Sequence, residues 1–356
     1  MDFNLDETQT ELRTLAADVL GRAATPAAIE AHERSGLPYD SGLWKTMAQA
    51  GLLGACLPEE AGGAGLGPIE MAVILREVGA RVAPVPVLSS LVAALTISRY
   101  GTAGQREALA PLGEGTAVLA VALREPGAGL AEPPATTARN GRVTGRKSMV
   151  SHAAVASRIL VPAQVEGAGV GLFLVDPATV AVQDIPLSTG EPGAVIEMDD
   201  VPGEPVGTAD GQAYQALRLH ALAGITAAAS GVLAGALKLT TDYIRTRRQF
   251  DRFLAEFQAV TMQIADVYVA ARAIDVAVWS GAWRLAEGLP AEEDLAIAAY
   301  TASDAVVKAL YTCQHLHGGM GLDVTYPLHR YFAWGKHAAH LLGGAEAQLD
   351  LIGALV

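Results

Sequence analysis

The chain has 356 residues, of which 51% are hydrophobic and only 18% charged. That length asks for two or three packed units, and that composition excludes low-complexity disorder. A net charge of -13 argues against nucleic acid or an anionic membrane as a partner.

The first residues, MDFNLDETQTELRTL, are acidic and amphipathic and lack the basic and apolar segments of an export signal. Cys56 and Cys313 cannot make a disulfide framework, so a reduced, cytoplasmic setting is expected. Phe3, Leu5, Leu12, Leu15, Ala16 and Leu20 have spacings that predict one apolar helical stripe. LWKTMAQAGLL reads as a further helix, LPEEAGGAGLG as a turn-rich loop, and PIEMAVILREVGARV as a helix opened by proline. GGAGLG at 62–67 imitates a dinucleotide fingerprint, but Pro68 stands where the third glycine belongs and the preceding segment is helical. It is read as a turn.

From 112 to 208 Pro and Gly become frequent, and short apolar runs appear: AVLAVAL, SRILVPAQV, VGLFLVD and AVIEMDD. These predict strands with turn punctuation. After Pro205 there is no proline until Pro290, and segments 211–247, 255–288, 291–317 and 326–354 carry helical periodicity. The expected fold is mainly α with a central β-domain of barrel or sandwich type. Its parts are an N-terminal helical domain (1–111), the β-domain (112–208) and a C-terminal four-helix bundle (209–356). ALAGITAAASGVLAGAL, 221–237, imitates a membrane span but is short for one, and its small residues suit a buried bundle helix.

Two stretches invite a chemical reading. His315 and His317 resemble a metal pair, but i and i+2 point to different helix faces, so no metal is expected. IRTRRQFDRFLAEFQAV, 244–260, crowds four arginines into eight residues, with Phe250, Leu254 and Phe257 following. A charge run is by default a solvated face, yet arginine beside aromatic side chains also suits a phosphate and an adenine.

Five motifs, in order, then resemble the flavin-dependent acyl-CoA dehydrogenases over essentially the whole chain. They are GLLGACLPEEAGGAGLG, REPGAG (124–129), VTGRKSMVSHAAVASRILV (143–161), TRRQFDRFLAEFQAV (246–260) and HLHGGMGLDVTYPLHRYF (315–332). The resemblance implies FAD, an acyl-CoA thioester, and a carboxylate base that removes the α-proton while hydride leaves for the flavin. In that family each FAD lies across a subunit interface. The half that a chain lends to its neighbour is largely kept here. Arg247 matches the arginine at the pyrophosphate, Phe250 and Leu254 the apolar contacts, Phe257 and Gln258 the pair near adenine, and Gly318 and Gly319 the close-approach glycines. His315 stands where glutamine is usual. The half used for a chain's own flavin is degraded: Arg124 replaces a threonine, Leu130 a serine, and Met149 a tryptophan, while Ser151 keeps a hydroxyl.

By the same resemblance the base position falls at Leu342, or Gly343 with a slip of one, and the alternative position at Ala221. None of these removes a proton. Glu346 reads as a first-turn helix acid. The chain therefore resembles the base-less subunit of actinobacterial two-plus-two heterotetramers that act on steroid side-chain thioesters. Its implied partners are a catalytic subunit, the acyl-CoA substrate and an acceptor such as electron-transfer flavoprotein, with its Ala/Gly-rich helices in the tetramer core. The alternatives are a stand-alone enzyme with a displaced base such as Glu346, and a flavin-free scaffold or acyl-CoA-binding protein on the same fold.

Overall fold

A computed structural model describes residues 4–355, so Phe3 lies outside the described residues. Helices come first: α1 (Glu7–Ala23), α2 (Pro26–Ser35), α3 (Ser41–Gln49), α4 (Pro68–Arg81), α5 (Val87–Tyr100), and the short α6 (Ala103–Glu107) and α7 (Ala110–Gly113). Asp6 caps α1 by accepting from the Gln9 N–H, and Gln9 answers through its side chain, so two orphan donors are satisfied. Ala16 and Leu20 are buried and Leu12 packs on the core, but Leu15 is 41% exposed. Leu15 thus lies off the expected stripe, because the buried face of α1 is narrow. LPEEAGGAGLG holds only one turn of 3₁₀ helix, and no strand precedes it, so the turn reading stands.

The β region contains β1 (Leu119–Val121), β2 (Thr137–Arg139), β3 (Arg142–Ser151), β4 (Arg158–Val165), β5 (Val170–Val175), β6 (Ala181–Pro186) and β7 (Pro192–Val206). The pairings β4–β2, β2–β3, β3–β7, β7–β5 and β5–β4 close a ring. Closure pairs these five strands on both sides, while β1 and β6 add to β4 and β7 and keep one free edge each. Inside it lies a separate core that includes Val143, Ile159, Phe173, Ile196 and Met198.

The second helical region starts with α8 (Gln212–Thr246), followed by a hairpin of β8 (Arg248–Gln249) and β9 (Arg252–Phe253). Then come α9 (Gln258–Ala286), α10 (Glu292–Thr301), α11 (Val307–His317), α12 (Leu328–Leu341) and α13 (Gly344–Leu355), with a π-helical turn, Ala302–Val306, joining α10 to α11. The fourth expected bundle segment is therefore two helices. Gly343 and Gly344, with φ of 88° and 87°, break it.

By length and composition α8 is apolar enough to cross a membrane, but 72% of its apolar window is buried inside the chain. Its small residues serve contact with α4. A Cβ on Gly79 would collide with the Ala228 carbonyl, and one on Gly231 with the Arg76 carbonyl. Arg76 reaches across to Asp275 on α9 with two hydrogen bonds of 2.9 and 3.1 Å, which ties α4 to the bundle. The Ala/Gly stretch thus packs largely within the chain. Among the exposed apolar side chains, Met262, Val269 and Val276 recur at seven-residue spacing on one face of α9 (62%, 64% and 49% exposed).

Candidate functional site

The two halves singled out in the sequence lie at two different places. At the first, α8 ends at Thr246 and the chain turns through the β8–β9 hairpin. Its two-residue loop, Phe250-Asp251, has φ of 52° and 61°, the pattern of a type I′ turn. Phe250 sits at the tip and is 88% exposed. The Leu254 N–H donates to the Arg247 carbonyl at 2.9 Å, closing the loop onto the helix end. Leu254 and Phe257 are half-buried, and Gln258, exposed, opens α9.

The four arginines divide in two. Arg248 stacks over Phe253 at 4.2 Å; Arg252 lies over Phe257 at 5.0 Å and pairs with Glu256 at 3.2 Å. Arg245 and Arg247 are exposed, and their side chains have no partner among the described residues. An aromatic contact joins this end of α8 to the end of α11: the Tyr243 and His317 rings stack 4.3 Å apart. His315, Gly318 and Gly319, all exposed, follow on that second segment. A Cβ added to Gly318 or Gly319 would meet nothing within 4 Å. The structure thus brings the 247–258 and 315–319 segments together around an open edge with an unpaired cation.

The second place is closed. Arg124, Leu130, Met149 and Ser151 all border one cavity of about 80 Å³, together with Ala221 and Leu341. Arg124 is held by its neighbours in sequence and space. Its carbonyl accepts from the Ser148 N–H at 2.9 Å, and next to it Glu125 pairs with Lys147 at 2.6 Å. Lys147 is fully buried, and burial pulls its ammonium down to about 8. The Glu125 carboxylate also accepts from the Ala135 and Thr136 N–H groups and the Thr136 hydroxyl; against the cost of burial, the Lys147 and then the Thr136 contacts hold it below the usual carboxylate range. This pair locks the REPGAG and KSMVS segments to each other. Met149 lies at a break in the β3–β7 register and has φ of 54°.

The Arg124 guanidinium then turns to the end of α12. Nη1 donates to the carbonyls of His340 (2.8 Å) and Leu341 (3.0 Å) in the last turn, the first of which also accepts from the Gly343 N–H at 3.1 Å. Nε has no partner, and burial lowers the group's pKa. The space left beside Arg124 is small, about 80 Å³, and shares Leu123, Leu130 and Ala221 with a neighbouring larger cavity.

Leu342, fully buried, and Ala221 meet at one larger cavity of about 320 Å³, so the two family base positions converge in space and neither carries an acid. Glu346 is exposed and borders none of the cavities described here. The carboxylates that do border the larger cavity are Glu132 and Asp350, which the motif pattern did not single out. Both are exposed, and Glu132 accepts from the Gly129 N–H at 2.8 Å. Among the described residues no group of His, Cys, Asp and Glu is placed to hold a metal.

The acyl-CoA dehydrogenase N-terminal domain family matches residues 6–115, and the acyl-CoA dehydrogenase C-terminal domain family matches residues 213–356. The chain belongs to the acyl-CoA dehydrogenase family. Acyl-CoA dehydrogenase FadE28 of Mycobacterium tuberculosis is 39% identical over 87% of this chain and 91% of its own length. Among solved structures, the Tcur3481–Tcur3483 steroid ACAD (a G363A variant) superposes with a TM-score of 0.93 at 39% identity, covering 98% of this chain and 97% of that one. The ChsE4–ChsE5 complex from Mycobacterium tuberculosis gives 0.93 at 32% identity, covering 99% and 98%. Membership carries oxidation at a CH–CH bond and the use of FAD, and both of these structural relatives are described by two named components.

Proposed function

We propose that this chain is the non-catalytic subunit of a heteromeric acyl-CoA dehydrogenase. It completes the ADP end of an FAD whose ring is held by a catalytic partner chain. One observation carries the reading: Arg247 stands unpaired beside open glycines, while Arg124 fills the slot for the chain's own ring. When bound, FAD accepts the hydride that leaves the β-carbon of the acyl thioester. This chain's share is binding. Arg247 pairs with the pyrophosphate, Phe250, Leu254, Phe257 and Gln258 shelter the adenine end, and His315, Gly318 and Gly319 line the approach. The exposed face of α9 fits a subunit contact, which supports a two-plus-two assembly. A steroid side-chain thioester is proposed as substrate, and the similarity to a steroid ACAD supports the steroid part of it. Electron-transfer flavoprotein as acceptor and a cytoplasmic setting complete the proposal.

Purified alone, the chain is expected to carry little FAD and to leave acyl-CoA thioesters unchanged. Co-expressed with its partner it is expected to give about one FAD per pair of unlike chains. Full flavin occupancy with turnover by this chain alone would sink the proposal. A stand-alone enzyme has one observation in its favour, the two carboxylates at the larger cavity. Under that reading Glu132→Gln or Asp350→Asn abolishes turnover by the isolated chain.

A further inference from the structure

The motif His315-Leu316-His317 has no metal to bind, yet its second histidine is the most tightly engaged side chain near the open edge. His317 is 3% exposed. Its Nδ1 lies 2.8 Å from the Cys313 carbonyl, which only accepts, so Nδ1 carries the proton. Nε2 is then the acceptor for the Tyr326 hydroxyl at 3.2 Å. Burial holds the imidazole below its usual pKa, which keeps this neutral tautomer in place. The Tyr243 ring stacks on the imidazole, and its hydroxyl donates to the His317 carbonyl at 3.3 Å.

That carbonyl closes α11 and, since His317 is the N-cap of the 3₁₀ turn Gly318–Leu322, also opens the segment that follows. The peptide it belongs to leads into Gly318, whose φ of 59° and ψ of -135° are open only to glycine. Tyr243 lies one helical turn before Arg247, whose N–H donates to the Tyr243 carbonyl at 2.9 Å. One tyrosine therefore touches both segments of the edge, and a second fixes the ring between them.

We propose that Tyr243 and Tyr326 are positioning residues for the dinucleotide edge. Acting through His317, they lock the peptide entering Gly318 and so hold the Gly318-Gly319 backbone at a set place relative to Arg247. This rests on the reading of that edge as the ADP cradle. Neither tyrosine is required to touch the cofactor. Their effect is to spare the edge the cost of ordering two separate segments when FAD arrives.

The test uses the complete heteromer, with FAD affinity read by flavin fluorescence and the melting temperature of each variant chain measured in parallel. Tyr326→Phe removes one hydroxyl contact, and Tyr243→Phe removes another while keeping the stacked ring. Each is expected to weaken FAD binding by about threefold to tenfold, with the KM for the acyl-CoA thioester unchanged. Arg247→Ala serves as the control on the cradle itself. Wild-type FAD affinity in both tyrosine variants, with Arg247→Ala impaired, overturns the positioning role and leaves the cradle standing. A lower melting temperature with unchanged FAD affinity marks the tyrosines as structural only and overturns it equally. Unchanged affinity in all three variants removes the cradle and the positioning role together.

Discussion

The edge around Arg247 and the slot around Arg124 each place an arginine beside apolar side chains, and each matches a part of one cofactor site. At the edge the guanidinium has no partner among the described residues, the glycines of the second segment face open space, and the hairpin tip projects an aromatic ring into solvent. In the slot the guanidinium caps a helix, and the remaining space is about 80 Å³. An unpaired cation on an exposed rim retains its full capacity for an incoming anion. A half-buried one such as Arg124 is matched from within the chain, by main-chain carbonyls. On the proposed reading, the same residue type opens one half of a binding site and shuts the other, according to which acceptors lie within reach.

The sharpest way to break this contrast is to give the closed side its missing base. General-base help contributes about 10²–10⁴ in rate, yet Leu342→Glu is expected to recover none of it. The Arg124 plug would still exclude the ring against which a thioester must lie. Measurable steady-state dehydrogenation by the Leu342→Glu chain alone would show the slot to be usable.

Acid also probes the closed side. Burial holds His152 and His337, which border a 70 Å³ cavity next to the slot, at about 4. An unfolded histidine takes up its proton near 6.5. Their stabilising contribution is therefore complete above pH 6.5 and is lost as pH falls toward 4, at about 2 kcal/mol per histidine by pH 5. Glu191, pushed up to about 8 by burial, borders the same cavity and acts in the opposite sense, since its folded form is relieved by protonation. The urea midpoint is expected to fall between pH 6.5 and 5, and to fall more steeply in Glu191→Gln. A flat profile in both proteins would mean that water reaches these histidines.

On the open side, a charge-assisted contact contributes about 1.5–3 kcal/mol. Arg247→Ala is accordingly expected to weaken FAD binding by the heteromer by roughly 10- to 100-fold. Unchanged affinity would return Arg247 to the status of a solvated charge. The smallest effect is expected at Glu346, an exposed first-turn acid that borders neither region. Glu346→Gln should leave heteromer turnover within about twofold, and abolition of turnover would identify Glu346 as the displaced base.

Much of this contrast was legible in the sequence, because it rests on identities at motif positions. Arg124, Leu130 and Met149 read as replacements before any geometry was known, and the structure gathers all three at one cavity. The partner of Arg124 was not legible. Main-chain carbonyls carry no sequence signal, and His340 and Leu341 stand more than two hundred residues away. Glu132 and Asp350 escaped for a similar reason, since they meet only where α13 folds back beside the 129–132 loop. His317 was misleading on its own. Its paired spacing with His315 hinted at a metal, while its real partners, Tyr243 and Tyr326, lie on separate elements. For the fold, periodicity located the helical segments well but did not show that Gly343-Gly344 divides the last one. It also left open which neighbour the Ala/Gly helix serves.

That helix bears on how the chain can vary. Along α8 the alphabet is so restricted that the run from Ala221 looks like filler, where one small residue might stand for another. Contact with α4 makes it the opposite: the Gly79 and Gly231 backbones lie against main chain of the facing helix, where even a methyl group collides. A side chain at either position would force the two helices apart. In this protein the plainest stretch of sequence is the one with the least room to change.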